Sequence, residues 1–110
     1  MEHKDCVFCQ ISSGLETNSK ILKRGEKVFL LPDINPVSRG HALVITREHY
    51  QDLSSSSDEA LQEAIIFAKD YANSLKEKFP EIKGFNYISN QGAEAKQVVF
   101  HFHLHVIPRW

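Results

Sequence analysis

The longest regular pattern in the chain is a row of apolar residues spaced three or four positions apart. These residues are Leu61, Ile65, Ala68, Ala72, Leu75 and Phe79. Such spacing places side chains on one face of an α-helix. Ser56 followed by Glu59 fits a capping box at the start of this helix, and Pro80 ends it. The pattern therefore predicts one long amphipathic helix.

The other apolar segments are short and are separated by turn-forming residues. A short helix is predicted at about residues 6–13, with Gly14 as its C-cap. Alternating and β-branched segments predict five strands, at residues 20–23, 27–31, 41–46, 85–89 and 97–107. Strands that mostly follow one another in sequence, together with one long helix, predict an α+β fold with a five-stranded antiparallel sheet.

The last predicted strand has two chemically different faces, because side chains alternate along a strand. One face is apolar and should pack on the long helix; it carries Val98, Phe100, Phe102, Leu104 and Val106. The other face carries Val99, His101, His103, His105 and Ile107. Neighbouring imidazoles on that face lie ~7 Å apart.

Size and composition narrow the class of protein. A chain of 110 residues with 42% hydrophobic and 25% charged residues predicts a single folded domain over residues 1–110. A net charge of -1 gives no overall basic character for binding nucleic acid and leaves only a local basic patch open. No apolar stretch reaches the ~20 residues that a membrane span needs, and the first residues lack a secretion signal. We therefore expect a cytoplasmic protein without a nucleic-acid or membrane partner.

The row of histidines has three interpretations. Imidazoles can be held by backbone groups in a core, although burying three polar rings without a purpose is costly. A His-x-His pair on a strand can also direct two ring nitrogens at one metal ion. Finally, a neutral imidazole is a nucleophile, and its pKa near ~6.5 allows it to exchange a proton at neutral pH.

Several segments together resemble the histidine triad family of nucleotide-binding proteins. HFHLHVI matches the family signature, and CVFCQI, LPDINPVSRGHALVITREH and SNQGAEAKQVVFHFHLHVIPR resemble its successive blocks in order. The similarity is closest to the adenosine-phosphoramidase branch and its bacterial relatives. It implies a hydrolase or transferase that acts at the α-phosphate of a nucleotide and works as a homodimer.

The resemblance also implies a role for each histidine. His103 would be the nucleophile, attacking the α-phosphorus of a purine nucleotide conjugate such as AMP joined to an amine, and water would hydrolyse the nucleotidyl-histidine. His105 would contact the phosphate or donate a proton, and His101 would be a structural partner beside the nucleophile. His41 would orient or polarise His103; the alternative is a surface histidine at the start of a strand.

The same resemblance implies a set of nucleotide-binding residues. Asp33 would accept both ribose hydroxyls, or form an Asx-turn, or do both. Ile34 would pack on the base. Asn90 would donate to a phosphate oxygen, and Gly92 would allow close approach of backbone N–H groups. Gln97, the first residue of the last predicted strand, completes the predicted set.

Two residues depart from the family pattern. Lys96 stands where glycine is usual, so the loop can differ in shape, and its ammonium can add a phosphate contact. Val98 stands where a serine or threonine is frequent, and valine offers no hydroxyl to the phosphate or the leaving group. A nucleotide-binding or interaction module with little turnover therefore remains the alternative to an enzyme.

Cys6 and Cys9 form a C-x-x-C pair that can hold one side of a zinc ion. By the resemblance, His49 and His101 supply the other two ligands of a closed, structural site. The alternatives are free buried cysteines and a redox pair, and no βαβ pattern supports the latter. His3 is interpreted as an exposed tail residue. Trp110 either packs on its own sheet or reaches a neighbouring pocket in a dimer.

Overall fold

The computed structural model of the chain describes residues 6–14 and 20–110. His3, for which an exposed position is predicted, lies outside the described residues. In chain order the elements are helix α1 (Val7–Ser13), strands β1 (Lys23–Arg24), β2 (Val28–Pro32) and β3 (Ala42–Thr46), helix α2 (Asp58–Lys78), strand β4 (Gly84–Ile88), a single 3-10 turn (Ala93–Ala95) and strand β5 (His103–Arg109). None of the helices in this part of the chain is long and apolar enough to cross a membrane.

The five strands form one antiparallel sheet in the order β1-β2-β3-β5-β4. This confirms the predicted fold class. Alternation along β2 and β3 divides their side chains between two cores, one against α2 and one against α1. On β5, Leu104 and Val106 face α2, as predicted. His103 and His105, at the alternate positions, therefore lie on the α1 side of the sheet.

The buried face of α2 differs from the predicted one. It consists of Ala60, Ala64, Phe67, Ala68 and Ala72. The prediction that Ile65 faces the core is wrong, because this side chain is 60% exposed. Along the row of alanines at every fourth position the side chains are small, so the α2 backbone can approach the sheet closely there.

The start of α2 also differs by one residue from the prediction. Ser57 is the N-cap, and its Oγ accepts the N–H of Ala60 at 3.2 Å. Ser56 instead donates to the backbone oxygen of Asp52 at 2.7 Å. The predicted capping box of Ser56 and Glu59 is therefore wrong. The helix ends at Lys78, before Pro80, as expected from the missing N–H of proline.

The last strand is shorter than predicted, because β5 begins at His103 instead of residue 97. Its neighbour β3 ends at Thr46, and the paired register between them ends with Ile45 opposite His103. The preceding residues therefore have no ladder partner, and the prediction that Val98 and Phe100 share the buried face is wrong. Val98 is 85% exposed and Phe100 is 42% exposed.

Candidate active site and metal centre

A cavity of about 920 Å³ opens on the α1 side of the sheet. Its volume lies within the range of small-molecule sites in proteins. Apolar side chains of α1 and of the segment after β2 form much of its wall, together with residues 96, 98 and 99. Among the described residues, three histidines also line it: His41, His103 and His105. The cavity thus combines apolar surface with a small group of titratable side chains.

The hydrogen bond of His103 fixes which of its ring nitrogens is free. Nδ1 lies 2.8 Å from the backbone oxygen of His101, and a carbonyl can only accept, so Nδ1–H donates. In the neutral ring the Nε2 atom then holds the lone pair. Burial lowers the pKa of His103, against the opposing effects of this hydrogen bond and of Asp33. At neutral pH His103 therefore presents an uncharged imidazole with an available Nε2.

The proton of His41 is fixed in the same way by a backbone group. The Val37 N–H donates to Nδ1 at 3.0 Å, so Nε2 must carry the proton in the neutral ring. That Nε2 lies 2.9 Å from His105 Nδ1 and 3.3 Å from Asp33 Oδ2. Burial lowers the pKa of His41, whereas the carboxylate of Asp33 acts to raise it.

The hydrogen bond with His41 sets the tautomer of His105. Its Nδ1 accepts from His41 Nε2, which leaves Nε2–H as the donor of His105. Burial lowers the pKa of His105 to about 4, with His103 and His41 adding to the effect and Asp33 opposing it. His105 is therefore uncharged at neutral pH unless a bound anion raises its pKa.

Asp33 divides its two oxygens between a turn and the histidines. Oδ1 accepts the Asn35 N–H at 2.9 Å, which is the Asx-turn weighed from the sequence. Oδ2 faces His41 at 3.3 Å and His105 at 3.9 Å. Although these three side chains lie close enough to surround an ion, the protonated Nε2 of His41 offers no lone pair. The arrangement favours proton exchange over metal binding.

His101 points away from the cavity, and its ring belongs to a second cluster. Its Nε2–H donates to the backbone oxygen of Thr46 at 2.7 Å, which leaves the Nδ1 lone pair toward the cysteines. Nδ1 lies 3.2 Å from Cys6 Sγ and 3.4 Å from Cys9 Sγ, and His49 Nδ1 lies 3.1 Å from Cys9 Sγ. His101 therefore takes part in both sites. Its backbone oxygen holds the ring of His103 in the cavity, and its own ring belongs to the cluster of cysteines and histidines.

The donor set of this cluster fits a zinc ion. The four ligand atoms of Cys6, Cys9, His49 and His101 lie within 4.8 Å of one another. Tetrahedral zinc with two sulfur and two nitrogen ligands requires ligand separations of roughly 3.3–3.8 Å. Without a cation, burial and the neighbouring Cys6 raise the pKa of Cys9 to about 12, so metal binding would displace a proton.

Comparison with known proteins identifies the family. The family model for the HIT domain matches residues 14–110. The chain belongs to the HIT family. This confirms the resemblance to the histidine triad family that the sequence motifs indicated.

Relatives of this HIT protein include enzymes and uncharacterised proteins. An uncharacterised HIT-like protein of Mycoplasma genitalium is 44% identical over 105 residues, which cover 96% of this chain and 73% of the relative. An adenosine 5'-monophosphoramidase of Candida albicans is 33% identical over 110 residues, covering 97% and 72%. An adenylylsulfatase of Arabidopsis thaliana is 35% identical over 105 residues, covering 96% and 52%.

Solved structures agree closely with this HIT fold. A HIT family protein from Bacillus anthracis is 37% identical with a TM-score of 0.91, covering 99% of this chain and 76% of that one. A zinc-bound histidine triad family protein from Mycobacterium smegmatis is 36% identical with a TM-score of 0.89, covering 97% and 76%. The described architecture is therefore that of the family.

Only some of the residues predicted to bind the nucleotide line the cavity of this HIT protein. Asp33, Ile34 and Asn90 line the cavity. Gly92 and Gln97 do not line it; the Gly92 N–H donates to Gln97 Oε1 at 2.8 Å. The Gln97 amide also donates to the backbone oxygen of Gln51 at 2.7 Å. These two residues therefore hold the loop in shape instead of facing the cavity.

Two parts of the site were not predicted from the sequence. Phe8, between the two cysteines, lines the cavity and makes edge contacts with the His101 and His103 rings at 5.7 Å and 5.2 Å. Its position between Cys6 and Cys9 was the available signal. The Val37 N–H, which sets the His41 tautomer, had no signal because every residue except proline carries such a group.

Trp110 packs on its own chain. Its indole N–H donates to the backbone oxygen of Arg39 at 3.0 Å, and the Arg39 guanidinium lies 4.5 Å from the indole ring centroid. The Phe79 ring lies 5.7 Å away. Trp110 therefore packs on its own chain, as one of the two alternatives drawn from the sequence had it, but its partners belong to the segment before β3 and to the end of α2 and not to the sheet.

Proposed function

We propose that this HIT protein hydrolyses purine nucleotide conjugates, such as AMP joined to an amine, through a covalent nucleotidyl intermediate on His103. The observation that carries the proposal is the Nδ1–H bond from His103 to the His101 carbonyl, at 2.8 Å, which leaves Nε2 free to attack in a cavity. The relatives from Candida albicans and Arabidopsis thaliana, named as an adenosine 5'-monophosphoramidase and an adenylylsulfatase, support hydrolysis at an adenylyl group.

In the first step, the Nε2 lone pair of His103 forms a bond to the α-phosphorus and the bond to the leaving nitrogen breaks. The bound phosphate anion raises the pKa of His105, so the His41–His105 pair takes up one proton opposite the Asp33 carboxylate. The leaving amine departs with the bonding electrons and this proton. Because the two histidines supply this proton, the leaving group departs as a neutral amine and not as an amide anion.

In the second step, a water oxygen attacks the phosphorus and the bond to His103 breaks. The water proton passes to the His41–His105 pair, and His103 regains its lone pair. The products are AMP and the free amine. As AMP leaves, the His41–His105 pair releases the water proton to solvent, and every group has returned to its starting state. Two displacements at one phosphorus need precise positioning, which the fixed tautomers provide.

The nucleoside would lie against the segment after β2. Asp33 would accept the ribose hydroxyls, and Ile34, which is 88% exposed in the cavity wall, would pack on the base. Asn90 would donate to a phosphate oxygen. An apolar side chain this exposed supports a ligand-binding role, because covering it would remove apolar surface from water.

We also propose a structural zinc held by Cys6, Cys9, His49 and His101. When bound, the ion would supply a cross-link between α1 and the triad segment. His101 would then connect two sites, because its ring nitrogen faces the metal and its carbonyl holds the nucleophile. The Thr46 carbonyl would keep the His101 ring in the tautomer that metal binding requires.

Finally, we propose that the protein works as a homodimer through the β4 edge of the sheet. Tyr87 and Ile88 on this edge strand are 50% and 37% exposed, and an open apolar edge favours pairing with another strand. Light scattering after size-exclusion chromatography is expected to give twice the chain mass. The Tyr87→Arg variant is expected to give the monomer mass, and a monomeric wild type would contradict the proposal.

The catalytic proposal is tested by intact-mass analysis after brief mixing with an AMP alkylamide. The wild type is expected to gain one adenylyl group, which peptide mapping places on His103. His103→Ala is expected to show neither adduct nor turnover while it keeps the melting temperature of the wild type. The matched variant His105→Asn is expected to form the adduct slowly.

Two results would contradict the proposed catalytic function. Undiminished turnover in His103→Ala would remove the assignment of the nucleophile. Calorimetric binding of AMP without hydrolysis of any nucleotide amide or ester would favour the alternative, a nucleotide-binding module. The exposed Val98 at the cavity, which offers no hydroxyl, is the observation in favour of that alternative.

A further inference from the structure

Lys96 has an unusual backbone conformation beside the cavity. Its φ is 71°, in the left-handed region, and among the described residues it is the only non-glycine with a positive φ. A side chain in this region costs conformational energy that glycine would avoid. Strained positions of this kind concentrate at functional sites, so a lysine in this conformation beside the cavity indicates a function for its side chain.

Lys96 is a positively charged residue of the cavity wall. Lys96 lines the cavity together with Val98 and His103. No ion pair joins Lys96 to any residue in the described part of the chain, not even to Glu94 on the same turn. Its ammonium therefore remains available to a ligand.

The other charges of the cavity do not cancel this ammonium. Lys20 also lines the cavity, whereas Asp33 is the one carboxylate among the lining residues that the structure describes. Asp33 Oδ2 is already directed to His41 and His105. The described residues of the wall therefore carry an excess of positive charge, and the apolar Val98 beside Lys96 offers no competing acceptor.

We propose that Lys96 makes the cavity selective for nucleotide conjugates whose leaving group carries a negative charge. The inference rests on the proposed function and specifies its substrate class. An anionic leaving group would be attracted to the ammonium, whereas a leaving group with its own ammonium would be repelled. The reaction itself is unchanged: His103 displaces the leaving nitrogen, which departs with a proton from the His41–His105 pair.

This charge effect can be measured with three AMP amides. All three contain the same type of P–N bond and differ in the charge of the amine part. The amine parts are β-alanine with a carboxylate, n-butylamine without charge, and 1,3-diaminopropane with an ammonium. For the wild type, kcat/KM is expected to fall in that order. Removing the charge in Lys96→Gln is expected to lower kcat/KM about two- to fivefold for the carboxylate conjugate and to raise it similarly for the ammonium conjugate.

Three further variants separate charge from backbone effects. Lys96→Arg keeps the charge and should keep the selectivity. Lys96→Gly should lose selectivity like Lys96→Gln, but melt at a higher temperature than Lys96→Gln because glycine relieves the strain. Lys69→Gln, on α2 beside Asp70 and away from the cavity, is the matched control and should leave the selectivity unchanged. Added salt should reduce the wild-type preference.

The inference and the proposed function can fail separately. If the wild type hydrolyses all three amides and Lys96→Gln keeps the same ratios, the inference is overturned and the enzyme remains. If no amide is hydrolysed, calorimetric affinities of the three amides for His103→Ala, with and without Lys96→Gln, still measure the selectivity. Equal affinities in that pair of proteins would overturn the inference independently of turnover.

Discussion

His105 is expected to make the folded protein sensitive to mild acid. In the folded state the pKa of this histidine is lowered from 6.5 to about 4, chiefly by burial. In the unfolded chain it would titrate near its ordinary value. The unfolded state therefore binds more protons than the folded state as the pH falls below 6.5, and the free energy of unfolding decreases with acidification until the folded ring is protonated.

The size of the effect follows from the two pKa values. Between pH 7 and pH 5, a shift of this size removes about 2 kcal/mol from the free energy of unfolding. That is a large share of the ~5–15 kcal/mol that stabilises a typical domain. The side chain of His105 is 21% exposed, so solvent screening reduces the effect only partly. His41 and His103, whose pKa values are also lowered, act in the same direction.

Urea unfolding of the wild type and His105→Gln at pH 7 and pH 5 measures the contribution. The wild type is expected to lose about 2 kcal/mol more than the variant over this interval. Both proteins are compared at the same zinc loading, so that metal loss in acid is common to both. Equal losses, or an NMR titration of His105 with a midpoint near 6.5, would refute the reasoning.

Three further substitutions test individual contacts. Ser57→Ala is expected to lower the free energy of unfolding by about 1 kcal/mol by removing the N-cap of α2, and an unchanged urea midpoint would contradict that cap. Gly25→Ala is expected to cost about 1–3 kcal/mol, because the added Cβ would collide with the Glu63 carboxylate; a variant as stable as the wild type would mean that the loop yields. Cys9→Ser is expected to abolish bound zinc in elemental analysis, whereas His105→Ala should retain it; the opposite result would move the metal to the triad.

The helices and strands could largely be predicted from local patterns, because periodicity of three to four or of two is a property of neighbouring residues. The depth of burial could not. The sequence pattern placed Ile65 in the core, but the sheet packs against the alanine face of α2, which includes Ala64. Packing of helix on sheet depends on how closely the two backbones approach, and alanines permit an approach that larger residues would prevent.

The length of β5 could not be predicted either. Alternation of apolar residues and histidines runs on from residue 97, so it predicts a longer strand than the one observed. Where a strand begins depends on its partner, and β3 ends at Thr46. Gln97, whose side chain holds Gly92 and the Gln51 carbonyl, belongs instead to a separately folded loop.

By itself, the sequence determined that β5 carries His103 and His105 on the face opposite Leu104 and Val106, because alternation is local to a strand. Only the tertiary structure decided which atom meets each imidazole nitrogen. His101 meets a cysteine 95 positions away in the chain, and His105 meets a histidine 64 positions away. In a neutral ring, a nitrogen that faces an acceptor carries the proton and a nitrogen that faces a donor holds the lone pair, so the chemistry of each histidine depends on contacts that the folded chain creates.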